Sequence, residues 1–140
     1  MKRCFALCLL VAATPATAWT VTTERDPMTD KSLTWASVTA QDATLLVGCL
    51  NGHPQPRLTW SGPIGGGEIG VTYRFDDGPL VPRMAMVSQG GKVVYPWLMD
   101  YAGAIARLKA AKRLRVQISG GRFYDFDLKA GGQSMPGIRC

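Results

Sequence analysis

Glu68 to Phe75 alternates without a break. Ile69, Val71, Tyr73 and Phe75 fall on one side, and Glu68, Thr72, Arg74 and Asp76 on the other. A period of two describes a strand with one buried face and is incompatible with an amphipathic helix. The same period returns near the end of the chain, where Leu114, Val116 and Ile118 alternate with Arg113, Arg115 and Gln117. Gly120-Gly121 then supplies a two-residue turn, after which Tyr124, Phe126 and Leu128 face inward and Asp125 and Asp127 outward. Two alternating runs joined by such a turn predict an antiparallel hairpin.

The remaining segments follow the same grammar. Trp19 to Thr23 reads as a first strand. The polar stretch from Glu24, holding Pro27, reads as a turn, and Lys31 to Ala40 as a second strand with Leu33, Trp35 and Val38 inward. Thr44 to Leu50 is almost continuously apolar and reads as a central strand covered on both faces. Asn51-Gly52 predicts a tight hairpin turn, with Arg57 to Ser61 returning and Leu58 and Trp60 on one face. Gly62 to Gly67 is a loop. Arg83 to Ser88 and Lys92 to Tyr95 form a hairpin around Gln89-Gly90-Gly91.

Only Trp97 to Lys112 changes period. Leu98, Tyr101, Ala102, Ile105 and Leu108 recur at spacings of three and four and predict a helix with one apolar stripe. Asp100 lies near its positive end, and Lys109, Lys112 and Arg113 near its negative end. The expected fold is mainly β: an antiparallel sandwich or partly open barrel of about seven to nine strands with one helix near residues 97–112.

Met1 to Ala18 carries a different signature. Lys2 and Arg3 precede an uncharged apolar run from Phe5 to Ala13, and Ala16-Thr17-Ala18 offers small residues at a cleavage site. That is the layout of a secretory signal peptide, cleaved after Ala18, and its apolar run is too short for a stable span. Residues 19–140 are then one exported, periplasmic β-rich domain without stable membrane insertion. Cleavage leaves Cys49 and Cys140 as the remaining cysteines. An oxidising compartment favours bridging them, which would tie the end of the chain to an interior strand. An intermolecular bridge is the alternative. A redox pair or metal-thiolate site is disfavoured, because the chain has no Cys-x-x-Cys and only His53 as histidine.

The sequence carries a net charge of +6, part of which leaves with Lys2 and Arg3. So modest a charge on an exported chain argues against a nucleic-acid partner. The catalytic inventory is thin, and no enzymatic activity, metal or cofactor is expected. His53 lies in a turn, there is no Gly-x-Ser-x-Gly elbow, and the Gly62 to Gly67 loop lacks the Lys-Ser/Thr pair of a phosphate cradle. Asp125 and Asp127 lie about 7 Å apart on one strand face, a separation that glycosidase carboxylates can show. Cross-strand pairing with Arg113 or Arg115 is the simpler role. Cations concentrate at Arg107, Lys109, Lys112, Arg113, Arg115 and Arg122. With Arg74, the first five are candidate contacts for an anionic partner: an envelope or secretion-apparatus protein, or a cell-wall polymer. The Gly62 to Gly67 loop and the Gln89-Gly90-Gly91 turn are candidates for a second reading, inhibition of a periplasmic hydrolase such as lysozyme.

Several short motifs occur together. They are Asp26-Pro27-Met28-Thr29-Asp30, Leu46-Val47-Gly48-Cys49, Tyr73-Arg74-Phe75-Asp76, the alternating Arg113 to Ile118, Phe126-Asp127-Leu128, and a terminal cysteine. This set resembles the TagO/VasI-like family of small periplasmic proteins, linked to type VI secretion and also found in phage-related settings. The resemblance implies an exported accessory protein without established catalysis, and it carries over no catalytic residues. Read without it, Asp26 and Asp30 flank a tight turn, Tyr73 and Phe75 are core positions, and Arg74 pairs with Asp30 or Asp76.

Overall fold

A computed structural model describes residues 19–140; the expected signal peptide lies outside the described residues. Among the described residues, nine strands and one α-helix form in chain order. β1 is Thr20–Arg25, β2 Ser32–Ala40, β3 Ala43–Leu50, β4 His53–Trp60, β5 Glu68–Phe75, β6 Val81–Ser88 and β7 Val93–Val94. Helix α1, Tyr101–Ala110, precedes β8, Arg113–Ile118, and β9, Phe123–Asp127. Every pairing is antiparallel, in the order β1-β2-β3-β4-β7-β6-β5-β8-β9. The fold is thus mainly β, as the alternation predicts.

The two halves of this open sheet face one another, and short β7 joins them. Trp60 of β4 meets Tyr124 of β9 edge-on, with ring centroids 5.8 Å apart. The indole of Trp19 donates to the Leu128 carbonyl at 2.9 Å, tying the start of the domain to the end of its last hairpin. Leu45, Val47, Leu58, Val71, Leu114, Val116 and Phe126 are buried between the halves. Removing this apolar area from water is the main stabilising force.

Local sequence explains the sharpest turns. Asn51 and Gly52 both adopt positive φ, at 52° and 77°, and Leu50 pairs directly with His53. That is the backbone an Asn-Gly hairpin favours. In the β1–β2 turn, Asp26 accepts from the Met28 amide at 2.8 Å and the Thr29 hydroxyl at 2.7 Å. The Thr29 bond first, and then the Met28 bond, hold the Asp26 carboxyl below its ordinary value of 3.8. Its stabilising contribution is therefore present above that value and lost as pH falls through the lowered one.

Three expectations need correction. In β2, Ala36 and Val38 are the fully buried pair, while Leu33 and Trp35 lie half-buried on the opposite face. Trp35 there covers the backbone of Gly48 on β3. The second face of β3 is accordingly half-covered rather than sealed. The helix spans Tyr101–Ala110 rather than 97–112: Asp100 accepts from the Gly103 amide at 2.9 Å and caps its start, and Ala111 is already extended at its end. Residues 96–99 form a separate turn, pinned by buried Trp97 against Tyr73 with centroids 5.5 Å apart. The buried stripe is then Ala104 and Leu108, flanked by Tyr101 and Ile105, while Leu98 and Ala102 are exposed.

Cys49 and Cys140 are bridged, with Cα atoms 5.5 Å apart. Buried Met135 and half-buried Ile138 lay the tail along the core before it reaches Cys49. Among the described residues, no helix is long and apolar enough to cross a membrane.

Candidate functional site: a mixed-charge ridge

The strand register gathers Arg74 on β5 with Arg113 and Arg115 on β8, since Arg74 pairs directly with Arg115. Like charges side by side repel, so the arrangement needs carboxylates. Asp77 supplies one: its Oδ1 lies 3.3 Å from Arg74 Nη2 and 3.0 Å from Arg115 Nη2. Both guanidinium groups also donate to the Asp76 carbonyl. Arg74 therefore pairs with neither the Asp30 nor the Asp76 carboxylate; Asp30 instead meets Arg25 at 3.0 Å.

Arg113 takes Asp125 in a two-pronged grip, Nε to Oδ1 at 2.9 Å and Nη2 to Oδ2 at 2.6 Å. This is the cross-strand pairing expected of Asp125, made diagonal to the register that sets Arg113 opposite Asp127; Asp127, expected to pair likewise, joins no ion pair among the described residues. Hydrogen bonding to Asp125, followed by its charge, raises the Arg113 pKa. Asp127 accepts from the Lys129 amide at 3.0 Å.

Asp76 is the hinge of the ridge. Its Oδ1 accepts from the amides of Lys112 and Arg113, both at 2.9 Å, and its own amide donates to the Arg113 carbonyl at 3.0 Å. It does so at a φ of 47°, a left-handed conformation that Asp tolerates better than most residues. Asp76→Ala should lower stability by about 1 to 2 kcal/mol in urea denaturation, because two amides lose their acceptor. Asp76→Asn, which keeps an acceptor oxygen, should cost distinctly less.

Arg107 sits apart from this cluster's acids. It meets Asp100 at 3.5 Å and stands over the Phe75 ring, 5.7 Å from its centroid. Lys109 and Lys112 are exposed and, among the described residues, join no ion pair. Of the six candidate contact residues, four are thus already engaged by carboxylates, and two carry uncommitted charge. Asp76, Asp77, Lys112, Arg113 and Arg115 line a groove of about 350 Å³.

His53 is exposed at the start of β4, beside a hollow lined also by Tyr101 and Ile105. Burial, with Tyr95 nearby as a second cause, raises the Tyr101 pKa. Among the described residues, no three His, Cys, Asp or Glu side chains are grouped to hold a metal ion. The Gly62 to Gly67 loop and the Gln89 to Gly91 turn prove to be one structure. Ile64 donates to the Gly91 carbonyl at 2.8 Å, and a side chain on Gly91 would strike the Gly65 carbonyl at 2.6 Å.

Fold and site together define a disulfide-tied antiparallel β protein with a pre-organised ridge of paired charges. In comparisons with protein-family models, curated proteins and solved structures, the chain matches none.

Proposed function

We propose that this is an exported accessory protein of the periplasm that works by binding rather than by catalysis. Its resemblance to the TagO/VasI-like family supports that class and a link to type VI secretion. The partner is an envelope or secretion-apparatus protein, or an anionic cell-wall polymer. The observation that carries the reading is the use of the acids. Asp76, Asp77 and Asp125 are each spent on holding backbone or arginine in place. A general acid or base needs a carboxylate free to reach a substrate, and these three already serve as acceptors within the fold. What the ridge offers outward is a rigid frame with the free cation of Lys112, and the last turn of α1, three residues earlier in sequence, adds that of Lys109.

Affinity capture from periplasmic extract, with and without added peptidoglycan, tests this. At low salt, wild type should retain an envelope or secretion component. Lys109→Glu with Lys112→Glu should reduce the yield by about tenfold or less, an effect that added salt also produces. These two lysines are better probes than Arg113 and Arg115, whose reversal would also strand Asp125 and Asp77. Unchanged capture by the double variant would remove the ridge as the contact face.

One observation favours a second reading, inhibition of a hydrolase. The two loops that could enter a cleft are hydrogen-bonded into a single tip, and Arg122 reaches the Ile64 carbonyl there at 3.5 Å. A pre-ordered tip loses little entropy on insertion. Slowed lysis in a lysozyme assay with added protein would favour it over the accessory reading.

A further inference from the structure

β1 closes one end of the sheet, with β2 as its single strand neighbour. The Asp26 amide donates to the Lys31 carbonyl at 2.8 Å, and the register runs on from that pair to Thr20 opposite Ser37. Bonded pairs recur at every second residue of an antiparallel ladder, so Thr20, Thr22 and Glu24 turn their backbone groups to β2. Val21, Thr23 and Arg25 turn theirs outward. Among the described residues, no strand and no loop backbone meets these three. An unpaired row of this kind is a template for another strand.

Little along the row guards it. All six residues of β1 are exposed, so both faces stand clear of the core and a neighbouring backbone can approach. Thr20 to Thr23 are β-branched, and β1 holds no proline, glycine or lysine. The one charged outward position, Arg25, is already met by Asp30 at 3.0 Å. The edge is also pre-ordered. Just before it, the Trp19 indole is anchored to the Leu128 carbonyl, and just after it Asp26 fixes the turn by accepting from Met28 and Thr29. β9, at the other end of the sheet, is guarded instead. Counted from the Leu128 amide on the Lys112 carbonyl, its outward positions are Phe123, Asp125 and Asp127. A two-fold pairing that uses all three sets Asp125 against its own copy.

We infer that two copies of this protein pair through β1 about a two-fold axis at Thr23, which extends the sheet across both. The edge is complementary to itself. With Thr23 opposite its own copy, Val21 lies opposite Arg25 in both directions, and all three outward positions exchange hydrogen bonds. An axis at Val21 or Arg25 would leave outward positions unpaired. The facing side chains also suit one another. Thr23 meets Thr23, Glu24 faces Thr22, and the Arg25 stem covers Val21, which is 51% exposed in one copy. No like charges stand opposite. A closed two-fold pair is the commonest soluble oligomer, and it uses up the edge. The inference goes beyond the binding reading above and names a different surface from the charged ridge.

The test is sedimentation equilibrium of the disulfide-bonded protein beginning at Trp19. A reversible dimer is expected, with a dissociation constant between micromolar and millimolar, because a six-residue edge makes a small interface. Hydrogen exchange at the amides of Val21, Thr23 and Arg25 should slow as protein concentration rises. Thr23→Pro removes an outward amide while sparing the ladder with β2, and should raise the dissociation constant by about tenfold or more. Thr23→Lys leaves every backbone group in place but sets two cations across the axis, and should weaken the dimer as well. Added salt should strengthen the dimer, since both copies carry net positive charge, whereas it weakens capture through Lys109 and Lys112. A monomer at millimolar concentration, a dimer that survives Thr23→Pro, or a dimer without protection at those three amides overturns the inference. Open-ended polymers overturn it in favour of β1 meeting β9 of the next copy. A monomer that captures another protein, and loses it in Thr23→Pro, overturns it in favour of a foreign strand.

Discussion

Cys49→Ser should be the most damaging polar substitution in the domain. The bridge closes a loop of 91 residues in sequence separation, and the chain-entropy argument assigns about 4 to 5 kcal/mol to a loop of that size. For a domain of this length, a loss that large should lower Tm by more than about 10 °C. The effect is local as well as global. Without the bridge, the tail keeps Met135 and Ile138 packed on the core. A reductant should bring wild type down to the variant's Tm and leave the variant itself unchanged. A variant that melts with wild type under oxidising conditions would show that the bridge does not form.

Phe126→Ala should cost about 3 to 5 kcal/mol, the range for deleting a fully buried aromatic ring. Phe126 has no exposed surface, whereas Phe123 on the same strand is half exposed. Phe123→Ala should therefore cost less than about 1 kcal/mol. The contrast follows from register. Phe126 opposes Leu114 and faces the core, and Phe123 opposes Gln117 and faces water. A slip of one residue would exchange the two faces. Urea midpoints for both variants in the disulfide-bonded protein measure the difference, and equal losses would contradict the register.

Short-range pattern carried much of the architecture. Strand β5 is legible to the residue because its alternation is uninterrupted and Asp77-Gly78 stops it. The turns at Asn51-Gly52 and Gly120-Gly121 are legible because both turn positions need positive φ. Periodicity misplaced the helix start, since Leu98 lies at helical spacing but Asp100 captures the Gly103 amide and fixes the boundary. The facing of β2 was hidden for a different reason. Hydrophobicity ranks Trp35 above Ala36, yet pairing with β3 turns small Ala36 inward and leaves Trp35 to cover Gly48.

The ridge was half legible. Charge counting finds the cations, and the last hairpin shows Asp125 near Arg113. It does not find Asp76 and Asp77, which reach β8 from 36 to 39 positions away in sequence. The motif Tyr73-Arg74-Phe75-Asp76 owes its character to this junction: a buried and a half-buried aromatic ring, a cation held by Asp77 and a carboxylate that fastens β8.

Export underlies the proposed compartment, the bridge and the class of partner, so intact mass spectrometry of protein recovered from a periplasmic fraction tests the account most directly. The account predicts a chain that begins at Trp19 and weighs two hydrogens less than its fully reduced form. A chain that still begins at Met1, or a mature chain with both thiols free, would contradict it.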